Sequence, residues 1–531
     1  MRKNVFIIPA MLTTALSSIG LSGCAGSSTK DDVYKDGKLV IEMRNLYFDD
    51  YNGGDRYLDE ISNKFGIKFE LKPYSWTDWE SQVKGSVSAD NVEDVFHADI
   101  DCYNFTGKYV YWAKEEIAKQ LPDDLSPWPH LKEMIDNTTN IESMKYNGHL
   151  YGIPIAKNAK DYSTSYSPFT YVYRRDWAKE WGVYQENDEY TWEQFTNLLD
   201  TFSRKGAQEG KGRYALADVE WGFPSITNFY KEVPHCFVKD KSTGNYVNNY
   251  TTDKYIEGLQ MSKTFRDNEW YGFPQYTALD GDVNKEFVQN KCGVFYENLS
   301  YSNFVKIRKD LCSTNALNLN FDVDEAVGIM KVKGPDGKYA LEGTDNWFSM
   351  TFLDYRMSDT KMKKILDLYD WLLSEEGTTM AIYGFEDYDY TVEDGKIKIV
   401  EKNWPKDSNG KYVEKLNGAR YLRNMVCLGY DTIEEDPLTD KDAYKILDDW
   451  DKEMKSALDK HELRVLKEDA EVMWLTTDKK AKHAENLRTE ALNSVMSYIY
   501  GKIGSIDAYK QAVSGGNWDS VLSEINANVK K

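Results

Sequence analysis

Lys38-Leu39-Val40-Ile41-Glu42-Met43 is a strand-like run, and the reading of residues 38–98 that it opens decides the fold. Tyr57, Leu58, Ile61 and Phe65 follow at helical spacing. Residues 67–71 (IKFEL) alternate apolar and polar, as a strand does. Residues 77–87 read as a second helix, capped by Ser75 or Thr77. Residues 92–98 (VEDVFHA) supply a third strand. This β-α-β-α-β order predicts an α/β layered domain with a mostly parallel sheet. The loops after the three strands carry Asn45 and Tyr47, then Trp76, then Asp99 and Asp101. Ligands of open α/β sheets sit beyond the carboxyl ends of strands, so these five are candidate ligand contacts.

Downstream, residues 146–154 (YNGHLYGIP) read as a hairpin turn leading into a crossing strand, and residues 171–174 (YVYR) as another strand. Helices are expected from Asp176 to Trp181 and, capped by Thr191, over 192–202. Met362, Ile365, Leu366, Tyr369, Leu372 and Leu373 share one face of a long helix. Further helices are expected over 440–460 and 482–500, and a short one after the break at residues 514–517.

Upstream lies a different kind of segment. Arg2 and Lys3 precede an uncharged apolar run, residues 5–16, and small residues lead to Leu21-Ser22-Gly23-Cys24. That order is that of an export signal. Its last four residues resemble the lipobox of bacterial lipoproteins, in which Cys24 would be acylated and become the first residue. The alternative, an uncleaved anchor, is disfavoured because the run is short for a membrane span. Residues 25–36 are small and polar and read as a tether. Loss of Arg2 and Lys3 with the signal takes the formal charge from −21 to −23.

The chain has 531 residues, with 66 Lys+Arg against 87 Asp+Glu. So acidic a surface excludes wrapping of nucleic-acid phosphates and docking to anionic lipid through a basic patch. With 38 Tyr, 21 Phe and 15 Trp, the chain is rich in side chains that suit ligands with one apolar and one polar face. Cys102, Cys236, Cys292, Cys312 and Cys427 are widely spaced with no CxxC, so buried thiols are expected, with a single Cys292–Cys312 bridge left open. Residues 280–286 (DGDVNKE) alternate oxygen ligands but lack the EF-hand Gly and Glu positions, leaving only an irregular calcium site open. Residues 206–212 fall one short of P-loop spacing. No cofactor and no metal is expected.

Several stretches together resemble the extracellular solute-binding lipoproteins of carbohydrate ABC importers, in their larger, oligosaccharide-binding form. They are Tyr151-Gly152-Ile153-Pro154, Tyr173-Arg174-Arg175-Asp176-Trp177 and Thr191-Trp192-Glu193-Gln194-Phe195. Residues 287–294 (FVQNKCGV) follow, with Gln289-Asn290-Lys291 replacing the more usual Gly-Lys pattern. The best match runs from residues 370–377 (DWLLSEEG) through 383–390 (YGFEDYDY) to Asp394-Gly395-Lys396, with Asp387 where many members have Gly. The order and spacing extend over nearly the whole mature chain.

The resemblance implies a two-lobed α/β, periplasmic-binding-protein-like fold with a hinged cleft. Residues 1–23 would be the lipoprotein signal and 24–36 the tether. Lobe one would comprise 37–160 and 340–392, and lobe two 161–339 and 393–531. The chain would cross near 157–170 and 335–345, and again after about residue 392. It implies a monomeric, non-enzymatic receptor, lipid-anchored on the extracytoplasmic face, that delivers an oligosaccharide to ABC permease subunits.

Within that frame the second-lobe candidates are Arg174 and Trp221, and the return segment offers Trp347. Asp387 and Tyr388 would close one end. Core packing is the competing role for each Trp, and a structural ion pair for Arg174. Two other functions share the composition: an exported glycoside hydrolase or lyase, and a peptide receptor of similar build. The adjacent carboxylates Glu386 and Asp387 do not by themselves set the ~5–10 Å separation a glycosidase needs.

Overall fold

The computed structural model describes residues 29–48, 51, 53–75, 78–100, 104–158, 166–210, 212, 214–218, 224–271, 282–318, 321–406, 417–429 and 439–529. Two mixed sheets, each with its own hydrophobic core, organise these residues.

The first sheet forms as the opening residues dictate. Strands Lys38–Asn45, Ile67–Pro73 and Val95–Ala98 lie parallel. Trp347–Leu353 runs antiparallel to Val95–Ala98 on one side and to Ile153–Ala156 on the other. The helix Arg56–Phe65 starts at Asp55, whose carboxylate accepts from the N–H groups of Tyr57 and Leu58 at 2.8 and 2.9 Å. It stops at Gly66, whose φ of 62° an L side chain would resist. The helix Trp79–Ser88 starts later than expected, with Asp78 at the cap position and no side-chain cap bond. Helix Asp359–Leu373 buries Ile365, Leu366, Tyr369 and Leu372 on the apolar face its spacing predicts.

The second sheet has the order Glu189–Tyr190, Val327–Val332, Phe169–Arg174, Cys292–Asn298, Tyr214–Ala217. Its central strand, Phe169–Arg174, is antiparallel to both neighbours. Thr191 caps the helix Trp192–Glu209 through a full capping box with Gln194. A third core joins residues 236–259 to the C-terminal helices Asp478–Ile499, Ile506–Val513 and Trp518–Asn528.

Three segments run side by side between the sheets. Lys157 N–H donates to the Asn346 carbonyl at 2.9 Å, and Ala156 N–H to the Val426 carbonyl at 3.0 Å. Leu428 N–H donates back to the Ala156 carbonyl at 2.9 Å. The third segment passes so close to the first that a Cβ at Gly429 would collide with the Lys157 carbonyl. The expected division put all of 393–531 in the second lobe. Instead Ala419, Leu422, Met425, Val426 and Cys427 pack in the first core, because helix Gly418–Arg423 lies against helices Arg56–Phe65 and Glu375–Ile382. A further segment follows strand Leu463–Leu466 and carries Trp474 into the first core, where it meets Phe105 edge-on at 5.0 Å. Cys292 and Cys312 remain thiols.

Candidate functional site

Strand direction decides where the sheets face each other. Asn45, Pro73, Ala98 and Ala156 end their strands at the same edge of the first sheet, and Trp347 begins its strand there. The crossing segments leave from this edge. They enter the second sheet at Phe169, the edge it shares with the ends Ala217, Asn298 and Val332. This edge of the first sheet therefore carries Asn45, Tyr47, Asp99 and Trp347.

The register sets Asn45 beside His97, since Arg44 pairs with Phe96 on the neighbouring parallel strand. Asn45 is fully buried, and its Oδ1 accepts from the Tyr47 N–H at 2.8 Å. The same oxygen lies 3.2 Å from His97 Nδ1. His97 Nε2 lies 2.5 Å from Ser349 Oγ. Trp79 packs its indole 4.5 Å from the imidazole and donates Nε1–H to the His97 carbonyl at 3.1 Å, while the Tyr47 ring stacks on the other contact at 6.0 Å. Burial disfavours the charged imidazolium and pushes the His97 pKa down to about 3. It likewise raises the Tyr47 hydroxyl above its usual value.

Ser349 stands at a bulge between Trp347 and Met350 with φ +55°, a conformation rarely taken by residues other than glycine. Serine, histidine and asparagine in this order have the composition of a nucleophilic triad. The imidazole is fully buried and stays in its neutral, singly protonated form in the neutral range, because burial disfavours uptake of a second proton.

Trp347 is only 6% exposed and its ring packs 6.1 Å from Trp474. Its ring packs in the first core, the competing role weighed for each Trp. Its Nε1–H, the Nε1–H of Trp474 and the Asn45 amide Nδ2 are all buried with no hydrogen-bond partner among the described residues.

Tyr388 and Asp387 precede Asp389, which is tied to the start of the helix Arg56–Phe65. The helix Arg56–Phe65 leads from the end of one strand back to the start of the next, which puts Arg56 beside the groove. Arg56 covers the Tyr388 ring at 3.6 Å and pairs with the buried Asp389 at 2.7 Å. Asp389 also accepts from the Tyr57 hydroxyl at 2.9 Å and the Phe385 N–H at 2.7 Å. Tyr388 itself is 49% exposed, a ring held from behind with one face open.

Arg174 is not brought to the groove. It ends the strand Phe169–Arg174 at the far edge, chelates Asp176 at 2.8 and 2.5 Å, bonds Asn290 and covers Trp177 at 4.5 Å. The structural ion pair is its role, and the strand's antiparallel direction is the reason. Trp76, Asp101, Trp221 and Cys24 lie outside the described residues. On the opposing wall, Asp218 follows strand Tyr214–Ala217 and accepts from the Ser225 N–H at 2.7 Å and from the Tyr271 hydroxyl. A cavity of about 610 Å³ lies elsewhere in the second lobe, lined by Tyr230, Phe237, Lys239, Arg464, Leu466 and Asp469. Arg464 is paired there with Asp336 at 2.9 Å and Asp469 with Tyr246, so its polar walls are already engaged.

His97, Ser349, Arg56 and Trp474 were absent from the sequence-based set. His97 hides in a strand whose other residues are core, and Trp474 arrives from far along the chain.

No family model matches the sequence, and no curated protein is similar to it in sequence. Solved structures match it along nearly its whole length. The alginate-binding protein AlgQ2 superposes with a TM-score of 0.64 at 13% identity, covering 94% of this chain and 99% of that one. An extracellular solute-binding protein from Bifidobacterium longum subsp. infantis superposes with a TM-score of 0.62 at 15% identity, covering 94% and 100%. The ABC-transporter substrate-binding protein FusA of S. pneumoniae does so with a TM-score of 0.60 at 13% identity, covering 92% and 98%. The chain has the two-lobed fold of ABC-transporter solute-binding proteins. In that fold the groove between the lobes is the Asn45–Trp347 edge facing the Phe169–Ala217 edge. Among the described residues no helix is long and apolar enough to cross a membrane.

Proposed function

We propose that this chain is the substrate-binding protein of an ABC importer, capturing an oligosaccharide between its lobes and handing it unaltered to the permease. The observation that carries the reading is the first wall of the groove. It combines a backed, half-open tyrosine ring with buried donors that lack acceptors. A sugar matches both, with apolar C–H faces for Tyr388 and a rim of oxygens for Asn45, Trp347 and Trp474. Asp99, Asp101, Trp76 and Trp221 are proposed as further contacts. Two structural neighbours support it by what they hold or bind: the substrate-binding protein FusA in complex with kestose, and an HMO-binding, ABC-transporter-associated solute-binding protein.

Closure follows from contacts a bound sugar makes to both walls, since a ligand shifts a two-state hinge only by its differential affinity. No bond is made or broken, so the site needs rigid donors rather than a titrating base. We further propose that cleavage before Cys24 and its acylation anchor a monomer on the extracytoplasmic face, two or more acyl chains being enough for stable attachment.

A thermal-shift panel of glycans and peptides tests the ligand class. A ligand that binds only the folded state raises the melting temperature, so glycans should raise it and peptides should not. Shifts from peptides alone would favour the peptide receptor instead. For the anchor, Cys24→Ala should abolish incorporation of labelled palmitate; unchanged labelling would refute the lipid attachment.

A further inference from the structure

The orientation of the Asn45 amide follows from one unambiguous donor. The Tyr47 backbone N–H has only a proton to offer, and it meets Asn45 Oδ1 at 2.8 Å. The atom there must therefore be the carbonyl oxygen and not the amide nitrogen. His97 Nδ1 faces that same oxygen at 3.2 Å, so Nδ1 must carry the ring proton. Nε2 is then bare and needs a donor. Ser349 Oγ supplies it at 2.5 Å. The Ser349 hydroxyl also lies 2.6 Å from the Phe348 carbonyl, but its single proton has only one bare ring nitrogen to meet.

Each link fixes the next, and the last free group is the Asn45 NH2. It is buried, has no partner among the described residues and ends a strand at this edge of the sheet. Ser349 holds its place in the relay only through a left-handed backbone at the bulge, where glycine would be easier.

We propose that Asn45 is a specificity-determining donor to an acceptor oxygen of the bound sugar, and that His97, set by Ser349, is the positioning residue that keeps its NH2 turned to the groove. The inference rests on the oligosaccharide reading and adds the polarity of one contact. A sugar hydroxyl used as an acceptor fits it, and so does a uronate carboxylate.

The test uses the full chain, Asn45→Asp and His97→Gln, with maltotriose, cellotriose and trigalacturonic acid as probes in fluorescence titrations. Asn45→Asp replaces the NH2 by oxygen at nearly constant shape. It should weaken whichever probe binds wild type by about ten-fold or more, read well below the variant's own midpoint, since a carboxylate at this buried position also lowers the melting temperature. Equal affinity in the variant would overturn the proposal. Loss confined to the charged probe would identify the partner as a carboxylate, and loss of the neutral probes as a hydroxyl. The second readout needs no sugar. In ¹⁵N-histidine spectra, the signal that disappears in His97→Gln should show the neutral Nδ1–H tautomer. An Nε2–H tautomer would turn the amide around and overturn the proposal. If none of the probes binds wild type, the oligosaccharide reading fails while the tautomer still decides the relay.

Discussion

Lys157 Nζ donates to Thr344 Oγ1 at 2.5 Å and to the Asp345 carbonyl at 2.9 Å, so two of the crossing segments are tied by one partly buried ammonium. Burial disfavours the charged form and lowers the Lys157 pKa to about 8, against a weaker opposing pull from Asp345. Burial raises the Asp345 pKa in turn. Between pH 8 and 10.5 the unfolded chain binds a proton at Lys157 that the folded chain has lost. Stability therefore gains from this group as pH rises through that window. Lys157→Met should remove that gain, which urea denaturation at pH 8 and pH 10 measures.

His97 contributes at the other end of the scale. Its folded pKa of about 3 lies below its ordinary 6.5, so the unfolded chain takes up a proton first as pH falls. Stability from this group is complete above pH 6.5 and is lost as pH falls toward 3. His97→Gln should be less stable at pH 7, where the relay is broken, yet should show a flatter decline between pH 6 and 4. A parallel decline in both proteins would contradict the burial of the imidazole.

Gly107 lies against helix Asp478–Ile499, where a Cβ would stand 2.9 Å from the Ala481 carbonyl. This is a contact between the first lobe and the C-terminal helices. Gly107→Val should force the helix away and cost about 1–3 kcal/mol, read as a lower denaturation midpoint. An unchanged midpoint would mean that the helix does not press on this turn.

Tyr388 is exposed and makes no core contact to lose, so Tyr388→Ala should leave the melting temperature nearly unchanged. Stacking on a ring is worth about 0.5–1.5 kcal/mol, so sugar affinity should fall about three- to ten-fold. Arg56→Met should have a similar, smaller effect through loss of the backing cation.

Local signals carried much of this architecture. The alternation of residues 67–71 and the capping box at Thr191 are short-range physics, and both elements form where the spacing puts them. Asn45, Tyr47 and Asp99 likewise stand at the carboxyl ends of their strands, where the spacing put them. Arg174 was misplaced because sequence alone does not say which way a strand runs in its sheet. Trp347 looked loop-like among Thr, Asp and Asn, but long-range packing with Trp474 buries it. The return of residues 417–427 to the first core was illegible for the same reason, since nothing local marks which lobe a helix joins.

The most direct test of the account is a calorimetric titration of the full chain with maltotriose, cellotriose and trigalacturonic acid, followed by mass analysis of the recovered sugar. The account predicts saturable, one-to-one binding of at least one of them with the sugar returned at its original mass. Cleaved sugar, or no heat with any oligosaccharide, would contradict it.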